Sequence, residues 1–417
     1  MIRSLLACSV AVAIAGSLAL RADDWPQWRG PARTGVSQET GLLKEWPKDG
    51  PPLRWKRTDI GPGYSAPAVV GGKVYLQTTA GEQEFALALD EKTGKDVWKT
   101  PIGAVGENYG VKEYLGTRAT PTVDGDRLYC LSSAGQLVCL GTDGKVRWQK
   151  DLMKDFGGKV GRPPTQGWAY SESVLVDGDR VVCTPGGAKA TLVALNKLTG
   201  ATVWESAVPG GDAAEYASVV PVEVDGAKQY VQFLEKGVVG IDAAGGKFLW
   251  RYEKTVDKGA NIITPVVQGN KVFTAGSRTG GGLVELTAAS GGVTAKQVYF
   301  DKQITPSIGG AVLVDGHLYG TGGQALICVE FATGKVKWTE RGVGAASLCA
   351  ADGRLYVRGH AGDVALVEPS PAEYRERGRF KQPDHGKTLA WPHPVVANGG
   401  FYLRDMGVLL CYDVRAK

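Results

Sequence analysis

Six cysteines follow residue 22: Cys130, Cys139, Cys183, Cys328, Cys349 and Cys411, an even number that an oxidising compartment could pair. None stands in a Cys-x-x-Cys or other metal-ligating spacing. Cys139, Cys328 and Cys411 occupy a slot that equivalent segments fill with Ala88, Ala194 or Gly240, which reads as a compact apolar filler. Cys130 and Cys139 are symmetric about Ala134-Gly135. A cross-strand disulfide between them is the alternative, provided they form a non-hydrogen-bonded pair. The histidines, His317, His360, His385 and His393, include no pair at metal-ligand spacing. No serine sits in a Gly-x-Ser-x-Gly elbow. The glycine runs Gly280–Gly282 and Gly320–Gly323 lack the strand-then-helix setting of a phosphate cradle. No catalytic residue and no metal site is therefore assigned from local motifs.

The elements that must position any site follow from composition and repetition. The 417 residues include 59 glycines, 11 tryptophans and 15 tyrosines but only three methionines, which suits many short strands joined by tight turns. The net charge of +5 comes without a basic run, so nucleic acid is not an expected partner. Residues 1–22 carry Arg3, an apolar run from Leu5 to Leu20, and small residues at Ser17, Ala19 and Ala22. This reads as a secretory signal cut before Asp23 and places the mature chain in the periplasm or outside the cell. The run is shorter than the roughly 20 residues a membrane span needs, and no later segment is long enough, so no membrane span is expected. Cys8 follows Leu-Leu-Ala, but the apolar stretch lies mostly after it, which argues against a lipoprotein.

Tryptophans recur at Trp55, Trp98, Trp148, Trp204, Trp250 and Trp338, with gaps of 43, 50, 56, 46 and 88 residues. The last gap is a double repeat, so one unit has kept its length and lost its tryptophan. A second column aligns Gly72-Lys-Val-Tyr75, Asp126-Arg-Leu-Tyr129, Asn270-Lys-Val-Phe273, Gly316-His-Leu-Tyr319, Gly353-Arg-Leu-Tyr356 and Gly399-Gly-Phe-Tyr402. Four short strands per unit at a period of 40–50 residues are the signature of a propeller blade. Before the final strand runs Ala88-x-Asp90-x-x-Thr93-Gly94-x-x-x-Trp98, repeated at Ala194–Trp204 and Cys328–Trp338 and more loosely at Gly240–Trp250. The Asp or Asn bonds forward into the turn, glycine takes its positive φ, and the indole lies flat between neighbouring units with its N–H free for a turn carbonyl.

This motif resembles the tryptophan-docking repeat of quinoprotein dehydrogenases and of the outer-membrane assembly lipoprotein BamB, the pyrroloquinoline-quinone-like repeat family. The resemblance implies an all-β, eight-bladed propeller of four-stranded antiparallel blades over residues 51–417. Trp55 lies in a fourth strand that precedes any first strand, and His393–Val414 supplies three strands without a fourth. The N-terminal strand thus completes the C-terminal blade and closes the ring. Residues 23–50, opening Asp24-Trp-Pro-Gln-Trp-Arg-Gly-Pro31, are expected as an extended Trp/Pro-rich leader laid over the ring.

In such a ring, residues preceding each innermost strand surround one mouth of the central channel. The expected ligand-binding set is Tyr64, Arg118, Trp168, Tyr170, Tyr216, Asn261, Ser307 and His393: aromatic walls, one cation and hydrogen-bonding groups. The competing reading is that these side chains simply plug the channel. The resemblance to dehydrogenases also implies an adjacent-cysteine disulfide, an acidic base and a calcium-binding Glu/Asn set. No two cysteines are adjacent here, and only Glu172 and Glu215 lie near the strand starts. The expected function is accordingly a noncatalytic binding or scaffold role, as a monomer, toward an envelope protein or polymer, with no cofactor. The alternative is a divergent dehydrogenase holding pyrroloquinoline quinone with calcium at the channel mouth.

Overall fold

The computed structural model describes residues 24–106, 116–161, 169–290 and 292–416. They form eight sheets, each built on four antiparallel strands in a ring. Blade 1 is Ala68–Val70, Lys73–Ala80, Gln83–Asp90 and Asp96–Ala104, running outward from the channel in chain order. Blades 2 to 7 repeat this plan, with innermost strands Thr122–Asp124, Leu175–Asp177, Val220–Val224, Val266–Gln268, Ala311–Val314 and Ala346–Ala351. In blade 8, Val395–Ala397, Gly400–Asp405 and Val408–Asp413 are completed by Leu53–Arg57, which pairs antiparallel with Val408–Asp413 so that Lys56 faces Leu410. The composite closing blade is therefore formed as the sequence implies. The first two strands of several blades are joined by turns such as Asp315–Gly316 and Asn398–Gly399. Both residues of each pair have positive φ, the geometry whose twist matches a hairpin.

Packing between blades follows the tryptophans. Trp98 donates its indole N–H to Thr142 O at 3.0 Å, Trp148 to Lys197 O at 3.0 Å and Trp338 to Ser370 O at 2.8 Å, each partner lying in the next blade. Trp55 does the same across the ring closure, to Glu91 O at 2.8 Å. The indole lies on the turn glycine itself: a Cβ on Gly246, at φ +76°, would stand 2.7 Å from Trp204. The turn is held from within, as Asp90 Oδ1 accepts from the Thr93 N–H and hydroxyl. Two blades, 5 and 7, carry no tryptophan on their outermost strand; blade 5 uses Tyr299, whose ring lies against Gly334 of blade 6. Trp250 departs from the pattern. It donates to Gln229 Oε1 of its own blade, because the long hairpin of Gly280–Ala289 and Gly292–Asp301 in blade 5 offers no docking turn.

All six cysteines are buried and free. The Cys130–Cys139 disulfide is excluded by register. Cys130 pairs with Val138 and Cys139 with Tyr129, one residue off direct opposition, so the two side chains leave opposite faces of the sheet. Cys130 packs with Ala88 and Leu128, and Cys139 with Tyr129 and Leu195.

The leader does more than lie across the ring. Trp25 exchanges backbone bonds with Val69 of blade 1, and Pro26 O accepts from Val123 N of blade 2. Residues 27–35 then wind through tight turns, with Arg29 and Arg33 at positive φ. Val36–Ser37 joins blade 7 as a fifth, parallel strand opposite Ala350 and Ala351. Glu39 accepts from Gly399 N of blade 8, and Leu42 bridges to Arg415. The leader thus fills one end of the channel and ties the first blades to the last.

Trp204→Ala should cost about 3–5 kcal/mol, the usual loss for deleting a buried large aromatic. Gly246→Ala, which leaves Trp204 intact but occupies its seat, should cost about 1–3 kcal/mol. Urea unfolding midpoints check both, and an unchanged midpoint for Gly246→Ala would remove the docking argument.

Candidate functional site

The channel end opposite the leader holds a cavity of about 140 Å³, close to the size that accepts one benzene ring. Its walls are residues that precede innermost strands: Tyr64, Arg118, Ser171 and Ser173, Tyr216 and Ser218, Ile262 to Thr264, Ser307 and Ile308, and Trp391 to His393. Its floor is the leader, through Trp28 and Arg29. Tyr64 and Trp391 stack at 5.0 Å between ring centroids, and Trp28 meets His393 at 4.5 Å.

The innermost strands begin with hydroxyl residues for a structural reason. An innermost strand has a sheet neighbour on one side only, so its other N–H groups need partners. Thr120 N donates to Ser173 Oγ at 2.8 Å, Ser173 N to Ser218 Oγ at 3.0 Å, and Ser218 N to Thr264 Oγ1 at 3.4 Å. Each hydroxyl binds the preceding blade, giving a belt from blade 2 to blade 5. Thr264 Oγ1 also accepts from Trp28 Nε1 at 3.0 Å, which seats the leader's indole on the belt.

Two leader arginines are 3 % exposed. Arg33 donates to Gln27 Oε1 and to the carbonyls of Ser173 and Val174. Arg29 donates through Nε to Arg33 O and through Nη2 to Thr34 O and Ala311 O. Burial lowers Arg29 to about 10 and Arg33 to about 9, so both remain charged at neutral pH. Arg118, beside Tyr216 and Tyr64, is also lowered by burial. His393 Nε2 lies 3.1 Å from Ile308 O, which can only accept, so that nitrogen carries the proton. Burial and the Arg29 charge push His393 down to about 3, leaving a neutral ring with no titration near pH 7.

Of the residues singled out from sequence, the structure brings Tyr64, Arg118, Tyr216, Ser307 and His393 together around the cavity. Tyr170 is placed elsewhere. Its ring covers Gly135 and its hydroxyl donates to Pro185 O at 2.8 Å, in the core between blades 2 and 3. Asn261 is also committed: its amide donates to Leu234 O and Glu235 O and its Oδ1 accepts from Asp257 N, so it pins a loop instead of facing a ligand. Trp168 and the expected signal segment lie outside the described residues. Trp28 and Arg29 were not singled out as site residues. The signal for them was two arginines at residues 29 and 33 inside a segment otherwise suited to burial.

The carboxylates near the channel do not line the cavity. Glu172 accepts from Thr184 N and Gln232 Nε2, Glu84 accepts from Ser133 N, and Glu215 accepts from Asn261 N. Calcium takes six to eight oxygen ligands, carboxylates among them, whereas the described lining offers hydroxyls, guanidinium groups and aromatic rings. No group of three metal-ligating side chains occurs among the described residues. A calcium-held quinone therefore does not fit this set of donors.

Burial raises Glu84 and Glu172 from 4.5 to about 7, against the opposing pull of their hydrogen bonds. The unfolded chain releases such a proton near its ordinary value while the folded chain keeps it up to about pH 7. Rising pH thus favours unfolding across that window. The stability of the native chain relative to Glu172→Gln should fall between pH 4.5 and 7, by up to about 3 kcal/mol, and stay level above. Denaturant titrations at several pH values check this, and a constant difference would show that Glu172 is ionised when folded.

A family model described as outer membrane protein assembly factor BamB matches residues 82–340. No curated protein sequence matches the chain. Among solved structures, BamB from Moraxella catarrhalis aligns with a TM-score of 0.59 at 15 % identity, covering 87 % of this chain and 99 % of that one. The quinohemoprotein alcohol dehydrogenase from Comamonas testosteroni aligns with a TM-score of 0.67 at 13 % identity, over 95 % of this chain and 81 % of that one. The computationally designed protein Ika8 aligns at 0.55 and 12 % identity, over 86 % and 100 %. A BamB, an alcohol dehydrogenase and a designed protein thus share the fold, so the ring alone carries no chemistry. With the BamB family model spanning well over half of the chain on a tryptophan-docked eight-bladed ring, the chain belongs to the PQQ-like, BamB-type β-propeller repeat family.

Proposed function

We propose that this chain is an exported, monomeric PQQ-like propeller that serves as a noncatalytic binding protein or scaffold at the cell envelope, engaging an envelope protein or polymer and using the channel-mouth cavity as a ligand site. The observation that carries this reading is the chemistry of the cavity wall. Cations, hydroxyls and aromatic faces converge there, the carboxylates nearby are spent on backbone and side-chain amides, and His393 is held neutral. Such a wall recognises a ligand but offers no poised general base or nucleophile–base pair. Export is supported by the composition of residues 1–22, and no helix among the described residues is long and apolar enough to cross a membrane. Likeness to a quinohemoprotein dehydrogenase favours the second reading, a dehydrogenase using quinone and calcium, but that likeness lies in the fold and the mouth residues do not match the cofactor.

Purified mature protein titrated with pyrroloquinoline quinone and calcium should show neither a red-shifted quinone absorbance nor reduction of an artificial electron acceptor with alcohols. Saturable quinone binding with dye reduction would put the dehydrogenase first. Cell fractionation with N-terminal sequencing should find the chain outside the cytoplasm and beginning at Asp23. A cytoplasmic chain that keeps residues 1–22 would end the export reading.

A further inference from the structure

The cavity is unusual in its electrostatic balance. Arg29 is almost fully buried, and among the described residues no carboxylate pairs with it. Its Nε and Nη2 are satisfied by carbonyls, but its Nη1 has no acceptor among the described residues and stands at the cavity wall beside His393 and Gly310. The space it uses exists because residue 310 lacks a side chain: a Cβ there would lie 2.8 Å from Nη1 and 3.0 Å from His393 Cε1. Carbonyl dipoles solvate a buried guanidinium but leave its charge uncompensated, which disfavours the empty site and favours an anion that enters it. The second cation of the wall, Arg118, adds to the same field.

The hydroxyl belt points the same way. Ser173, Ser218 and Thr264 use oxygen lone pairs to accept backbone N–H groups, and Thr264 accepts twice. An oxygen engaged as acceptor still has its own proton to give, and none of these three protons has an acceptor among the described residues. The polar part of the cavity therefore includes three hydroxyl donors beside a positive charge, and Tyr64 and Trp391 supply a stacked aromatic wall.

We propose that the cavity binds a small organic monoanion, a carboxylate carried on a single flat ring. The carboxylate lies against Arg29 Nη1 and the donor hydroxyls, and the ring packs on the aromatic wall. This rests on the reading of the mouth as a ligand site and names the ligand class. It also gives the leader a role in recognition, since the leader supplies the charge while holding the ring closed.

The test compares benzoate with benzamide, a neutral isostere, by calorimetry on the intact mature protein. Benzoate should bind saturably, and benzamide should bind about ten-fold or more weakly, the usual scale for losing a charge-assisted hydrogen bond. Arg29→Gln, where it folds, should abolish the preference. The wild-type pair of ligands decides the matter even if that variant does not fold. Equal affinity for the two compounds would overturn the anion assignment and leave the cavity as a ligand site. Binding of neither at millimolar concentration would overturn the ligand site itself.

Discussion

A four-stranded blade has two apolar faces and no third element of its own to cover them, so it is stable only between two others. The interaction that meets this need is an indole laid on the neighbouring blade's turn, over a glycine and bonded to that turn's carbonyl. In its fullest form it combines an aromatic on the outermost strand, a turn closed by Asp or Asn, and a glycine beneath the ring, while Trp338 keeps only the carbonyl bond, to Ser370 O. Where one is missing the geometry adapts, as with Tyr299 on Gly334, or the contact is lost, as with Trp250 turning back to Gln229. Closure by Leu53–Arg57 puts Trp55 through the same docking as Trp98 and Trp148, so the seam is built like those junctions.

A closed ring creates its own problem at the centre. Eight innermost strands converge with their free edges facing inward, and unpaired N–H and C=O groups there are costly when dry. Two devices address this. The serine and threonine belt links successive blades from the mouth side, and the leader enters from the other end to pair with Val69, Val123, Ala350 and Ala351. Arg29 and Arg33 are the leader's deep anchors, reaching the carbonyls of Ala311, Ser173 and Val174. The cavity is what remains between leader and mouth, and its character is inherited from both devices: donor hydroxyls from the belt, a guanidinium from the leader.

The functional conclusion depends on this inheritance more than on the ring. The same architecture is found in a BamB, a dehydrogenase and a designed protein, so the side chains that reach the channel must decide. Here they are donors and aromatic faces, with the nearby acids turned to other partners. That chemistry supports the proposed ligand site.

Local chemistry repeated along the chain was enough to specify the ring. Asp90-x-x-Thr93-Gly94-x-x-x-Trp98 and its copies encode the docking turn within a few residues, and the closure, although it pairs Trp55 with Cys411, was legible because the repeat leaves one outermost strand over at the start and one strand short at the end. The mouth was legible in part for the same reason: Tyr64, Arg118, Tyr216, Ser307 and His393 precede innermost strands at a regular place in the repeat. Tyr170 and Asn261 occupy equivalent places but turn aside, since which way a side chain points there is set by the neighbouring blade, Gly135 in one case and Leu234 in the other. The Cys130 and Cys139 faces were likewise settled by a single-residue register that only the folded hairpin sets. Above all, the sequence led to an extended leader over residues 23–50 laid over the ring, by its tryptophans and prolines, whereas residues 27–35 run through tight turns. Only the tertiary structure decided that this segment enters the channel and places Arg29 under the cavity, because contacts across hundreds of residues leave no periodic trace in the chain.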